Sequence, residues 1–283
     1  MTEQLKTGAA DTPGPDLRAP APNFSVREYA RTAVGTHRPE LDLDAFVETP
    51  LSAATLRVLV QLQAVEHATM NHLRNVLVTP SHKDSRVTAF LTTWAFEKFW
   101  IADALGAVVG KHDVAAITAQ SAKHRVAASA RRFFDRFSPI RESLVANHIG
   151  VDMIAVHMAI GSVDTWLSLA AYSRIEALEP HAELARTLER IRSIKERHLE
   201  FFVPQTEFRL EESAGARTLT AKRLKREMFP TGSNEQPHSE NSYFFEHLFA
   251  SAPHLLDEID SRVDALPGQN GLSLMRKHLK AAS

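Results

Sequence analysis

Residues 52–109 read SAATLRVLVQLQAVEHATMNHLRNVLVTPSHKDSRVTAFLTTWAFEKFWIADALGAVV, and their pattern decides the fold. Leu59, Leu62, Met70, Leu73 and Leu77 recur at helical spacing, and Ser52 after Pro50 is placed to cap them. A helix is predicted over 52–78, ended by Thr79-Pro80-Ser81-His82. Asp84 or Ser85 can cap a second helix over 85–109, with Phe90, Trp94, Ile101, Leu105 and Val108 on one face and Gly110 as a stop. The short link makes the two an antiparallel hairpin.

Working outward, a second hairpin follows. Val145, Ile149, Val156, Ile160, Leu167, Ala171 and Ile175 predict a helix over 142–178, closed by Glu179-Pro180. Leu184, Leu188, Ile191, Ile194, Phe201 and Phe202 predict another over 181–203, which Pro204 kinks or ends. Between the hairpins, residues 111–144 are Ala-rich and basic, with short helical runs such as 114–134. The expected fold is all-α: a four-helix bundle with a long crossover between its second and third helices, plus extra C-terminal helices. Residues 1–23, rich in Pro, Ala and Gly, read as a disordered lead-in, followed by a short helical or extended approach from 24 to 47. The bundle is assigned to 24–210, a polar loop to 211–240, and helices packing on the bundle to 241–283, at about 241–264 and 270–281.

Composition narrows the chemistry. The 283 residues carry a net charge of -1, so no global field points to nucleic acid or an anionic membrane. There are no cysteines, which removes disulfides, thiol nucleophiles, Cys-ligated zinc and iron–sulfur clusters. Any metal must be held by nitrogen and oxygen. The N-terminus lacks the apolar core of a secretory signal, and a cytoplasmic location is expected. No glycine-rich phosphate loop or zinc-protease pattern is present.

Polar residues on the apolar stripes are the informative ones. Glu66 follows Leu62 by four and precedes Met70 by four. Glu97 sits among Phe90, Trp94, Ile101 and Ala104 at the same spacings. Asp164 follows Ile160 by four, with His157 two turns earlier. Lys195 and His198 follow Ile191 by four and seven. Glu66 and Glu97 both lie about 23 Å from their shared turn at the helical rise per residue, and Asp164 and Lys195 match in the same way. Each helix thus offers an inward polar group at one height. Buried carboxylates require a positive partner: a metal ion, Lys195, a protonated His198, or a mixture.

This constellation resembles the ferritin-like di-iron carboxylate superfamily, which includes rubrerythrins, ribonucleotide reductase small subunits and related oxidases. That family places Glu on the first helix, Glu-x-x-His on the second, Glu on the third and Glu-x-x-His on the fourth. The matching positions are Glu66, then Glu97-Lys98-Phe99-Trp100, then Asp164, then Lys195-Glu196-Arg197-His198. Trp100 stands where the family has His, and Lys195 where it has Glu. The resemblance spans about 52–205. It implies that Glu66, Glu97, Asp164 and His198 hold Fe or Mn in an atypical, mononuclear site. His157 would support them, and Trp100 would reshape the pocket where a ligand is missing.

Two functions follow as expectations. One is a metal-dependent oxidase or oxygenase acting on a small organic substrate. The other is a metal-free descendant of the bundle in which Lys195 neutralises the carboxylates, serving as a ligand-binding, scaffold or metal-independent catalytic protein. Lys195 itself is read as a structural ion pair or, alternatively, a catalytic amine of depressed pKa. The expected partner is a small molecule, not nucleic acid or a membrane, with the chain single or homodimeric. The basic run Lys222-Arg223-Leu224-Lys225-Arg226 is read as a solvated helix face.

Overall fold

The computed structural model describes residues 23–113 and 150–282. The lead-in expected to be disordered (apart from residue 23), the helical runs expected within 114–134 and residues 142–149, expected to begin the third helix, lie outside the described residues. The regular elements among the described residues are all helices, with no strand.

Two helices, those over 53–77 and 85–109, match the sequence pattern closely. Helix α1 (Val26–Arg31) and the single turn α2 (Ala45–Glu48) form the approach, and α3 (Ala53–Leu77) and α4 (Ser85–Val109) form the first hairpin. Ser52 accepts the Thr55 N–H and Asp84 accepts the Arg86 and Val87 N–H groups, as cap residues do. Helix α5 (Asp152–Leu178) and α6 (Ala182–Glu212) form the second hairpin, with His181 capping through the Leu184 N–H. Beyond the pairing within each hairpin, α3 meets α5 and α4 meets α6. Helix α5 is long and apolar enough to cross a membrane, but 83% of its most apolar window is buried inside the protein. Its apolarity is that of a core helix.

Four expectations are corrected. Met70 is 51% exposed, and the inward line of α3 runs instead through Leu62, Val65, Glu66, Thr69, Leu73 and Val76. Helix α6 does not end at Pro204 but continues to Glu212. One lost backbone bond is outweighed by burial of Gln205, Thr206 and Leu210 and by an Arg209–Asp84 ion pair of 2.6 Å. The stretch expected as a polar loop at 211–240 begins with the end of α6 and then holds α7 (Ala214–Leu224). Ser213 caps α7, and Ala216, Thr220 and Leu224, four residues apart, bury against the bundle. The helix expected over 241–264 is two, α8 (His238–Phe249) and α9 (His254–Ala265), parted at Pro253. Helix α10 (Arg276–Ala282) closes the chain.

The core falls into two clusters, each drawing on both hairpins, and α5 approaches α6 closely at Gly161. A Cβ on Gly161 would lie 2.4 Å from a ring carbon of Phe202, itself 1% exposed. Only glycine allows that approach. Gly161→Ala is therefore expected to lose about 1–3 kcal/mol of stability in urea unfolding, despite alanine's better helix propensity. An unchanged midpoint would show that the ring moves freely.

Candidate functional site

Residues from all four long helices meet in the dry interior. Glu66 is 1% exposed, Lys98 1%, Asp164 3% and Lys195 1%. Lys195 Nζ lies 2.5 Å from Glu66 Oε1, which also accepts the Tyr172 hydroxyl at 2.9 Å. Lys98 Nζ lies 3.2 Å from Glu66 Oε2, off the hydrogen-bond angle, and donates to Asp164 Oδ2 at 3.3 Å. Asp164 Oδ1 accepts the backbone N–H of Thr231 at 2.7 Å. Two carboxylates and two ammonium groups thus form one closed set. Lys98 lies over the Trp94 ring and Lys195 over the Tyr172 ring, at 5.1 and 5.8 Å from the centroids. Both cations gain from those ring faces.

Glu97 belongs to a neighbouring set. Its Oε2 accepts the Tyr29 hydroxyl at 2.6 Å and faces His198 Nε2 at 2.9 Å. Its Oε1 accepts the Val34 N–H at 2.9 Å, with Arg197 at 3.8 Å. Glu97 is thereby held ionised. His198 Nδ1 is buried without a partner, which fits a neutral ring carrying its proton on Nε2.

The electrostatics follow from this geometry. Burial opposes ionisation of Glu66, but Lys195 and Lys98 outweigh it and hold the carboxyl down at about 2. Burial likewise works against the Lys98 ammonium, yet Glu66 and Asp164 lift it above the ordinary lysine range. Burial and the field of Lys98 push Lys195 below that range. Burial keeps His198 neutral, at about 4, against the pull of Glu97.

The structure brings together Glu66, Asp164 and Lys195 as the sequence suggests, and it brings Glu97 to His198. It does not gather all of them around one point. His157 faces Thr79 at 3.3 Å and the ring of His72 at 6.5 Å, near the α3–α4 turn and apart from Asp164. Trp100 packs against the rings of Phe96 and Phe99 on the outer side of α4. The inward position there is Lys98, which the sequence reading passed over. It follows Trp94 by four and precedes Ile101 by three, the same signal that marked Lys195. Tyr172, Tyr29, Val34 and Thr231 were also missed. Their roles depend on chain segments meeting far apart in sequence.

This donor set does not fit Fe or Mn. Glu66 and Asp164 already share two ammonium groups, and these four charges sum to zero, so a divalent ion would add uncompensated charge in a dry core. Glu97 is committed to three donors and His198 to Glu97. No group of three or more His, Asp or Glu side chains suited to a metal occurs among the described residues.

Three histidines, His198 buried and His72 and His157 half-buried, predict acid sensitivity. His198 and His72 sit at about 4 and His157 at about 3, all below the ordinary 6.5. The unfolded chain takes up these protons from pH 6.5 downward, while the folded chain does not until pH 4 or 3. Stability therefore falls as pH drops through that window, with a slope of about 1.4 kcal/mol per pH unit for each histidine. Below 4.5 the protonation of Glu66 adds to the loss as pH falls towards 2. Urea midpoints from pH 7 to 4 test this, and His198→Gln should reduce the slope by one histidine's share. A flat profile would contradict neutral rings. No protein-family model matches the chain, and no curated protein or solved structure resembles it at a significant level.

Proposed function

We propose that this chain is a metal-independent relative of the ferritin-like bundle and that it works by binding a small organic molecule. The kinship is supported by two antiparallel helix pairs, a long connection between the second and third helices, and an inward ionisable group on each. The observation that carries the metal-independent reading is the position of Lys98 and Lys195. Together they supply the positive charge that Glu66 and Asp164 need, at 2.5–3.3 Å. An oxidase acting through Fe or Mn would require those carboxylates to be free for a metal. A binding role is favoured because the core is already charge-neutral and offers polar groups beside it.

Elemental analysis of protein from iron- and manganese-supplemented cells tests this reading. Both metals should fall far below one equivalent per chain. A full equivalent that disappears in Glu66→Ala would overturn it. Lys195→Met should cost about 3–5 kcal/mol, because it strands a buried carboxylate. Adding Glu66→Gln to that variant should recover part of the loss. Equal stability of Lys195→Met and wild type would show that the ammonium is not the neutralising group.

A further inference from the structure

Helix α7 ends in the run Lys222-Arg223-Leu224-Lys225-Arg226, four cations in five residues. The Lys225 amide donates to the Ala221 carbonyl, and the Arg226 and Glu227 amides to the Arg223 carbonyl, so the helical turn carries on past Leu224. Lys222, Lys225 and Arg226 thereby stand at i, i+3 and i+4 and share one face. All three are exposed, whereas Arg223 is half-buried and Leu224 buried. A fifth cation arrives from α10, where exposed Lys277 sets its Nζ 3.4 Å from the Lys225 carbonyl.

The protein does not neutralise this end of α7. Arg38 pairs with Asp103, Arg57 with Glu240 and Arg276 with Asp257. Among the described residues, no carboxylate pairs with the side chains of Lys222, Arg223, Lys225 or Arg226. Glu227 is the one acid in the stretch 222–228. Asp260, whose field reaches Lys277, is engaged by the Met275 and Arg276 amides. The C-terminus of a helix favours cations, but it carries only about half an elementary charge and cannot balance four. The chain as a whole sums to -1, so the surplus here is a local segregation that net charge conceals.

The surroundings select among polyanions. Single-stranded nucleic acid binds by stacking on exposed rings, and the exposed large apolar side chain beside this run is Met228, at 37%, not an aromatic. A peptide takes a groove or a sheet edge, whereas this run lies on the outer face of a helix and no strand occurs among the described residues. Cations beside an exposed apolar side chain suit a lipid surface, with headgroup anions meeting the charges and the thioether entering the acyl boundary.

We propose that the end of α7, together with Lys277, is a contact surface for an anionic lipid bilayer. Each cation near such a surface strengthens partition roughly fivefold. The attraction reaches only a Debye length, about 10 Å in 0.1 M salt, so the contact is peripheral and reversible. It draws on none of the interior groups and stands apart from the binding role proposed above.

The test is co-sedimentation of the full-length protein with phosphatidylcholine vesicles, with and without an equal share of phosphatidylglycerol. Binding should require phosphatidylglycerol and vanish in ~0.5 M salt. Lys222→Glu with Arg226→Glu should weaken it at least ~100-fold, because each reversal removes a cation and adds an anion. Lys225→Gln with Arg226→Gln, expected to bind roughly 25-fold more weakly, keeps the test open if the reversal does not fold. Arg27→Glu with Lys111→Glu changes net charge equally at two exposed positions, on α1 and beyond the end of α4, and should bind like wild type. No binding to the anionic vesicles overturns the proposal, as does wild-type binding by the α7 variants or an equal loss in the α1/α4 control. A polyglutamate peptide or a DNA duplex that displaces the vesicles at equal anion concentration overturns it too, since the surface would then serve a different partner.

Discussion

The ion set formed by Glu66, Asp164, Lys98 and Lys195 is the constraint on which the rest of this interior depends. Four ionised groups at 1–3% exposure are tolerable only if each sits within contact distance of the opposite sign. That requirement fixes the relative height of all four long helices, because one group comes from each. Apolar packing alone would allow the hairpins to slide by a turn with modest loss. The charges would not, since a shift of one turn, about 5.4 Å, breaks every pair at once. The set thus acts as a registration device as well as a neutral core.

The surrounding polar contacts extend this logic outward. Tyr172 donates to Glu66, Thr231 donates to Asp164, and Tyr29 and Val34 donate to Glu97. Asp164 and Glu97 therefore tie further segments to the bundle, and Glu66 ties α3 to α5. The turn at 229–233 is held by Asp164, which is why a stretch rich in Gly, Ser, Asn and Pro settles against α3 and α5. Charges that help set the register of the helices also decide where the irregular segments dock.

Much of this was legible from residue spacing. Helical period and capping residues gave α3 and α4 almost to the residue, and Glu66, Asp164 and Lys195 declared themselves by falling on apolar stripes. Lys98 carried an equal signal but lay beside Glu97, and a motif expectation drew attention to residue 97 and then to Trp100. Adjacent residues on a helix differ by 100° in direction, so two neighbours can both reach the interior only if they point to different compartments. Glu97 and Lys98 do so: one turns to α1 and α6, the other to α3 and α5. Helix α7 escaped notice because its buried face is only Ala216, Thr220 and Leu224, too small and polar to register as a stripe. Tyr29 and Tyr172 carried no local mark at all, since their partners lie 68 and 106 residues away.

The approach at 25–48 has a consequence for where this unit begins. Tyr29 stacks on Phe90 and gives its hydroxyl to Glu97, the Val34 amide reaches the same carboxylate, Arg38 grips Asp103, and Phe46 stacks on His181. These contacts seal an acid that would otherwise face water along one side of the bundle. The contacts of the bundle therefore reach ahead of Ser25, not only to Ser52 where the long helices begin. A fragment trimmed to the helices alone would be an opened shell.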